Sequence, residues 1–223
     1  MKQKRTLLLS TLFLICFVVV AYFRGSFTAL NLSIDLWSAS INNGFFTLPA
    51  QIISIVFDTI ALAIISLIIA AILFVLHFRR YGFLLLGAMA GDTLLVDLFK
   101  TIIMSPRPIN RIIAASGYSF PSGHETSSVV FFGVLTYFVW KNYGSVKLKA
   151  ATSGLYVFVA GVIGFDRIYL NVHWFSDLLG SVFLGTFWLT LCTLIFKNLS
   201  KNGKIQRDLG QDAKQKSMPT LRT

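Results

Sequence analysis

The stretch Tyr118-Ser-Phe-Pro-Ser-Gly-His124 is a polar segment in a chain that is otherwise largely apolar. Its last four residues supply a turn-forming proline, a hydroxyl group, a glycine that lets backbone approach a ligand, and an imidazole that titrates near neutrality. These groups together suit an anion-binding site. The simpler alternative is a connecting turn that contains a histidine by chance, and the rest of the chain decides between the two.

The composition indicates an integral membrane protein. Of the 223 residues, 55% are hydrophobic and only 13% are charged, and the mean hydropathy is +0.72. Soluble domains average about 45–50% apolar and 25% charged residues. The net charge of +11 does not indicate nucleic-acid binding, because the basic residues lie between apolar runs. Cys16 and Cys192 lie inside apolar runs, so we expect neither a disulfide framework nor a metal cluster.

Six apolar runs predict six transmembrane helices. Their approximate limits are residues 6–23, 52–78, 83–104, 126–140, 150–165 and 175–196. The first run ends at Val20-Ala-Tyr-Phe-Arg24, which lacks a small-x-small cleavage pattern, so the run is interpreted as an uncleaved span. We therefore expect an all-α, polytopic membrane domain over residues 1–197. Residues 198–223 are polar and without apolar periodicity, which predicts a disordered cytoplasmic tail.

The segment between the first two runs predicts a helix at the membrane surface. Its apolar residues recur at helical spacing opposite polar ones, and they are Leu30, Ile34, Trp37, Ile41 and Phe45. Trp37 suits an interfacial anchor because indole rings favour the headgroup level.

The basic residues predict the orientation in the membrane. The N-terminus, two of the turns and the tail together hold fifteen of the 20 Lys and Arg residues, all on one side of a six-span layout. That side should be cytoplasmic, with both termini on it. The other five residues are Arg24, Lys100, Arg107, Arg111 and Arg167. Four of these lie next to the segments that carry His124 and His173, and a phosphate-binding site would account for them.

The third span contains charges that are costly at membrane depth, namely Asp92, Asp97 and Lys100. Asp97 and Lys100 share a helix face, so a structural ion pair is one interpretation. Ser105-Pro-Arg-Pro108 follows the span and cannot continue a regular helix.

A second histidine lies in Asp166-Arg-Ile-Tyr-Leu-Asn-Val-His-Trp-Phe-Ser-Asp177, at the outer end of the last two spans. If the sixth span begins near His173, Asp177 lies one turn along the same face. Its carboxylate then accepts the hydrogen bond of one ring nitrogen and leaves the other nitrogen free to attack. An incidental surface pair is the alternative, and a nearby arginine and a second histidine on the same membrane side favour the functional interpretation.

These residues form three ordered motifs that resemble the signature of the type 2 phosphatidic acid phosphatase family, whose site is shared with vanadium haloperoxidases. The motifs are Lys100-x6-Arg107-Pro108, Pro121-Ser-Gly-His124 and Arg167-x5-His173-x3-Asp177. The resemblance implies an all-helical six-span bundle that hydrolyses a phosphate ester or diphosphate through a phosphohistidine, with no metal and no cofactor.

The resemblance also implies a role for each matching residue. His173 would attack phosphorus, Asp177 would orient His173, and His124 would protonate the leaving group. Lys100, Arg107 and Arg167 would hold the phosphoryl oxygens, with Ser122 and the Gly123 backbone as further donors. Phosphoryl transfer mainly needs in-line positioning and stabilisation of the equatorial oxygens, which these groups can supply.

One residue departs from the family's pattern, because the third motif usually opens with serine and here the residue is Asp166. A carboxylate beside a phosphate site repels the ligand unless it turns away or pairs with a cation such as Arg111 or Arg167.

The sequence thus predicts a membrane lipid phosphatase with an extracytoplasmic site. The expected partners are the bilayer and a lipid phosphate, namely undecaprenyl diphosphate, phosphatidylglycerol phosphate or phosphatidic acid, with no nucleic acid and no protein partner. Within enzymes, a lipid phosphotransferase is the alternative. A six-span transporter that uses Asp92 and Asp97 is the alternative from another class, and a haloperoxidase is disfavoured because those relatives are soluble.

Overall fold

The computed structural model describes residues 2–216, with side chains over residues 3–201. Eight α-helices and one short 3₁₀ segment make up this part of the chain. They are α1 (Lys2–Tyr22), the 3₁₀ segment (Phe23–Phe27), α2 (Thr28–Ile41), α3 (Gly44–Val56), α4 (Thr59–Val75), α5 (Arg79–Ile103), α6 (Gly123–Asn142), α7 (Val146–Tyr169) and α8 (Phe175–Lys216). No strand occurs within residues 2–216, so the predicted all-α class is confirmed.

Four helical segments are long and apolar enough to cross a bilayer. They are residues 3–41, 79–103, 146–169 and 175–201, and the pair α3–α4 makes a fifth if that bent pair is one span. The predicted fourth span lies in α6, which is not one of these long apolar segments. The predicted count of six is therefore not confirmed.

Helix α6 is less apolar because it lies inside the bundle, where it contacts α4, α5, α7 and α8. Its first turns carry Glu125, Thr126, Ser127 and Ser128, and all four are buried. A helix surrounded by other helices faces protein instead of lipid, so polar side chains are tolerated where partners are available.

The predicted interfacial helix is also not confirmed. Helix α1 continues through the 3₁₀ segment into α2, so residues 3–41 form one apolar helical run. The buried residues of α2 are Asn31 and Ser38, while Leu30 and Trp37 are exposed. The polar face packs inward because Asn31 exchanges hydrogen bonds with Ser176, and Ser38 donates to the carbonyl of Ile168.

The second predicted span, residues 52–78, is interrupted near its start. Helix α3 ends at Val56, α4 begins at Thr59, and the two helices meet at an angle of 52°. Asp58 stands at the break, where its Oδ1 accepts a 2.9 Å hydrogen bond from the backbone N–H of Ile60. A carboxylate suits this position because it satisfies an unpaired N–H and faces the positive end of the helix dipole.

Helix α8 continues to Lys216, and the disorder predicted for residues 198–223 stays a prediction. Once a helix has formed, each further residue adds a hydrogen bond without the cost of a new nucleation. A polar segment can therefore continue the helix to which it is attached. The part of the predicted tail over residues 217–223 lies outside the described residues.

Close packing of α6 on α8 generates a stability prediction. A Cβ at Gly185 would lie 2.8 Å from Cγ1 of Val129 and 3.2 Å from the backbone oxygen of Thr126. A β-branched side chain and a backbone atom move little, so Gly185→Ala should destabilise the bundle by about 1–3 kcal/mol. The expected result is an apparent Tm in detergent that is lower by roughly 5 °C.

The control is Gly154→Ala on α7, where no atom lies within 4 Å of the added Cβ. This variant should keep or slightly raise the apparent Tm, because alanine is the better helix former. Equal Tm values for both variants would contradict the packing argument.

Candidate active site

A cavity of about 660 Å³ lies among the α3–α4 break, the end of α5, the start of α6 and the turn before α8. Six of the eight residues predicted for the site line it. They are Lys100, Arg107, Gly123, His124, Arg167 and His173. Side chains that are up to 73 residues apart in the sequence therefore face one space.

The loop after α5 closes one side of this cavity. Met104 adopts a left-handed conformation (φ 51°), and Pro106 and Pro108 prevent the helix from continuing. The loop then folds back on itself, because the N–H of Ser119 donates to the carbonyl of Ser105 over 2.8 Å. It is also joined to the end of α7 through a 3.0 Å bond from the N–H of Ile112 to the carbonyl of Leu170.

His173 lies in the turn between α7 and α8, with Asp177 one helical turn further on, as predicted. Its Nδ1 is 3.4 Å from Oδ2 of Asp177, and both side chains are buried. The same Oδ2 accepts a 3.0 Å hydrogen bond from the N–H of Trp174, which fixes the carboxylate at the start of α8. Asp177 does not line the cavity but lies behind His173.

The surroundings of His173 decide which nitrogen carries the proton. Nη1 of Arg107 is 3.1 Å from Nε2, and a guanidinium only donates, so Nε2 is the acceptor and Nδ1 holds the hydrogen that faces Asp177. Burial lowers the pKa of His173 well below its ordinary 6.5, and Arg107, Lys100 and Arg167 lower it further. The ring is therefore neutral at neutral pH, with its lone pair on Nε2.

Arg107 ties two chain segments together. Its Nη1 donates to the carbonyl of Val172 over 2.8 Å, while Nε and Nη2 donate to the carbonyls of Gly117 and Ser116, both over 3.1 Å. The guanidinium thus holds the loop after α5 against the turn that carries His173. An amine could not reproduce this geometry, because its donors radiate from one atom.

His124 is held by groups that the sequence did not indicate. Its Nε2 is 3.0 Å from the carbonyl oxygen of Ser54 and 3.6 Å from Oδ2 of Asp58. A carbonyl oxygen gives no sequence signal. Asp58 gives a weak one, since it is a carboxylate near the start of an apolar run, which also suits a residue at the membrane interface.

Asp166, the departure from the family's pattern, pairs with Arg167 and not with Arg111. Nε of Arg167 donates to Oδ2 of Asp166 over 3.0 Å, and Nη2 donates to the same oxygen. Both side chains are buried. The carboxylate therefore compensates part of the positive charge at the cavity and orients the guanidinium that lines it.

Three other predicted residues lie away from the cavity surface. Ser122 is fully buried, its N–H donates to Oγ of Ser181 over 2.7 Å, and its Oγ accepts from the N–H of Glu125, so its role as a phosphate donor stays a prediction. Asp92 is buried and accepts a 2.7 Å hydrogen bond from Ser127. Within residues 3–201, Asp97 forms no ion pair with Lys100 closer than 4 Å.

The geometry agrees with comparisons against known proteins. The model of the PAP2 superfamily matches residues 81–201, which is more than half of the chain and includes all three motifs. The chain belongs to the PAP2 superfamily. This membership confirms the resemblance on which the assignment of site residues depends, whereas the role of each residue stays a prediction.

Two solved structures share the PAP2 fold of this chain. The crystal structure of a transmembrane PAP2-type phosphatidylglycerolphosphate phosphatase from Bacillus subtilis superposes with a TM-score of 0.79 at 24% identity, covering 85% of this chain and 96% of that one. LpxE from Aquifex aeolicus superposes with a TM-score of 0.55 at 23% identity, covering 76% and 95%. Together with its apolar helices, this fold makes the chain a multi-pass membrane protein.

A curated relative is phosphatidylglycerophosphatase B of Bacillus subtilis (strain 168). It is 33% identical over 109 residues, which are 47% of this chain and 52% of that protein. The alignment thus spans about half the length of the relative.

The contacts of Arg107 generate a prediction for oxyanion binding. Arg107→Lys keeps the charge but loses the fork, so its affinity for orthovanadate, a phosphate-like oxyanion, should fall roughly 10²-fold, as expected for one or two lost charge-assisted hydrogen bonds. The measurement is the vanadate-dependent rise of the apparent Tm in detergent.

Arg111→Lys is the matched control. Arg111 is exposed, and within the described residues its side chain donates one hydrogen bond, to the carbonyl of Ala115, so this variant should bind vanadate like the unmodified protein. Unchanged vanadate affinity in Arg107→Lys would mean that charge alone is needed at position 107.

Proposed function

We propose that this protein is a membrane lipid phosphatase that hydrolyses a phosphate monoester or diphosphate through a phosphohistidine. The observation that supports it best is the convergence of Lys100, Arg107, Arg167 and two histidines on one cavity. Three cations around a neutral imidazole suit a phosphoryl group, because they stabilise its equatorial oxygens while the imidazole attacks in line.

In the first step, Nε2 of His173 attacks phosphorus. A P–N bond forms as the P–O bond to the leaving group breaks, and His124 gives a proton to the departing oxygen. Asp177 stabilises the positive charge that develops on the ring of His173, because it faces Nδ1–H. Arg107, whose Nη1 is 3.1 Å from Nε2, would turn its donors to the phosphoryl oxygens.

In the second step, His124 accepts a proton from water, and the water oxygen attacks phosphorus. The P–N bond breaks, inorganic phosphate leaves, and Nε2 of His173 regains its lone pair. The exchange of roles by His124 follows from microscopic reversibility, since the group that protonates a leaving oxygen also deprotonates an entering one.

The cavity walls favour a lipid substrate. Ile60, Ala61 and Ile64 on α4 line one side, and Ile60 and Ile64 are also exposed on the outside of the bundle. A lipid could therefore place its phosphate among the cations while its chains lie along α4 in the bilayer. Undecaprenyl diphosphate, phosphatidylglycerol phosphate and phosphatidic acid all have this form, and the names of the Bacillus subtilis relatives favour phosphatidylglycerol phosphate.

Phosphate release by the purified protein, measured over a panel of these three lipids with His173→Ala as the control, tests the activity directly. Release in detergent counts against a transporter, since transport is then impossible. Phosphate found on an added alcohol instead of in solution would indicate a phosphotransferase.

The two histidines should differ in their dependence on the leaving group. His173→Ala should abolish turnover of every substrate, because no phosphoenzyme can form. His124→Ala should lose about 10²- to 10⁴-fold activity where the leaving group needs a proton, and much less on para-nitrophenyl phosphate, whose leaving group departs without one. The measurement is kcat/KM on phenyl and para-nitrophenyl phosphate, two substrates of similar shape.

Equal residual rates for the two variants on both substrates would reject this division of roles.

Orthovanadate should inhibit the unmodified protein, since it mimics five-coordinate phosphorus, whereas a chelator should have no effect on the rate. Loss of activity with a chelator would contradict the metal-free mechanism.

The site should face the outside of the cell, with both termini in the cytoplasm. Asn110 and Lys201 are exposed in the structure and lie on opposite sides in this arrangement. In a background without Cys16 and Cys192, an impermeant thiol reagent added to intact cells should label Asn110→Cys and should reach Lys201→Cys only after permeabilisation. The reverse pattern would overturn the orientation.

A further inference from the structure

The break between α3 and α4 creates two hydrogen-bond acceptors that point at one ring nitrogen of His124. Because α3 ends at Val56, the N–H of Asp58 bonds to the carbonyl of Ile55, and the carbonyl of Ser54 is left without its helical partner. That free carbonyl lies 3.0 Å from Nε2 of His124. The break is therefore not only a bend but also the source of a contact.

The second acceptor is Oδ2 of Asp58, the carboxylate oxygen that does not cap α4. Oδ1 caps α4 through the N–H of Ile60, and Oδ2 lies 3.6 Å from Nε2 of His124. The cap holds the carboxylate in place, so its orientation does not depend on His124. Asp58 and His124 both line the cavity.

This arrangement defines the protonation of His124. Carbonyl and carboxylate oxygens only accept, so Nε2 carries a hydrogen, and Nδ1 is the nitrogen without a protein acceptor in the described part of the chain. A neutral ring of this kind has no proton on Nδ1 to give away. His124 acts as an acid through Nδ1 only when the ring is protonated on both nitrogens.

The surroundings of His124 oppose that state. Burial and then Arg167 of α7 lower the pKa of His124 to about 3, and His173 contributes to the fall, whereas Asp58 and the carbonyl of Ser54 act in the other direction. Asp58 is thus the anion that faces His124 from the α3–α4 break and limits this fall.

We infer that Asp58 is a positioning residue of the proposed phosphatase reaction, which stabilises the doubly protonated form of His124 and directs its Nδ1–H toward the leaving oxygen. The inference rests on the proposed function. It gives His124 a carboxylate partner, as Asp177 is the carboxylate partner of His173. It also gives the α3–α4 break a role in catalysis.

The test is Asp58→Asn, which keeps the helix cap because asparagine caps as well as aspartate but removes the charge. We expect kcat/KM on phenyl phosphate to fall roughly 10- to 100-fold, with a much smaller change on para-nitrophenyl phosphate. The alkaline limb of the pH–rate profile should move to lower pH by about one pH unit, since the imidazolium loses its anionic neighbour.

Asp58→Ser is a second variant, because serine also caps a helix and lacks the charge, and it should behave in the same way. Asp35→Asn on α2, outside the cavity lining, is the control for loss of a carboxylate and should keep the unmodified rate. In the His124→Ala background, Asp58→Asn should cause no further loss on phenyl phosphate, because its effect passes through His124.

An equal loss on both substrates with an unchanged pH profile would overturn the inference and reduce Asp58 to a helix cap. An additive loss in the double variant, or no loss in Asp58→Asn, would overturn it as well. Each of these outcomes is obtained with an active unmodified protein. Absence of phosphate release from the unmodified protein on every substrate would instead refute the proposed function.

Discussion

The guanidinium of Arg107 is the contact on which the shape of the site depends. It donates to carbonyls of Ser116, Gly117 and Val172 and also faces Nε2 of His173, so it joins segments that are 65 residues apart. It acts together with the 2.9 Å hydrogen bond from Nε1 of Trp174 to the carbonyl of Pro106, which also joins the loop after α5 to the turn before α8. The same planar fork that organises the ligand-free site also matches the oxygens of a phosphoryl group.

Each of three groups that line the cavity has a carboxylate as its partner. Asp166 pairs with Arg167, Asp177 faces Nδ1 of His173, and Asp58 faces Nε2 of His124. Asp58 and Asp177 are also held in place by backbone N–H groups at the starts of α4 and α8. A buried cation without such compensation is expensive, particularly at membrane depth.

The bundle can contain so polar a site because α6 lies at its centre. The polar first turns of that helix are surrounded by α4, α5, α7 and α8, and side chains such as Ser127 bond to partners such as Asp92. The apolar helices around it contribute their outer faces to the lipid. This division explains how one chain combines a hydrocarbon-compatible exterior with a cavity lined by charged groups at the end of its central helix.

The sequence alone determined the all-α class and the residues of the three motifs, because apolar run length and the chemistry of Lys, Arg and His are local properties. It also indicated that Asp177 faces His173, since a four-residue spacing on a helix is a local relation. It did not determine the number of spans. Helix α6 is less apolar than the other long helices because it is buried among them, so its composition does not show whether it crosses the bilayer.

Only the tertiary structure decided the partners of His124 and Asp166. Asp58 is 66 residues from His124, and the carbonyl of Ser54 became available only because α3 ends two residues later. Asp166 had two candidate cations in the sequence, and the packing of α7 selected Arg167. The contacts of His124 depend on how helix ends meet in space, which no spacing within one segment can specify.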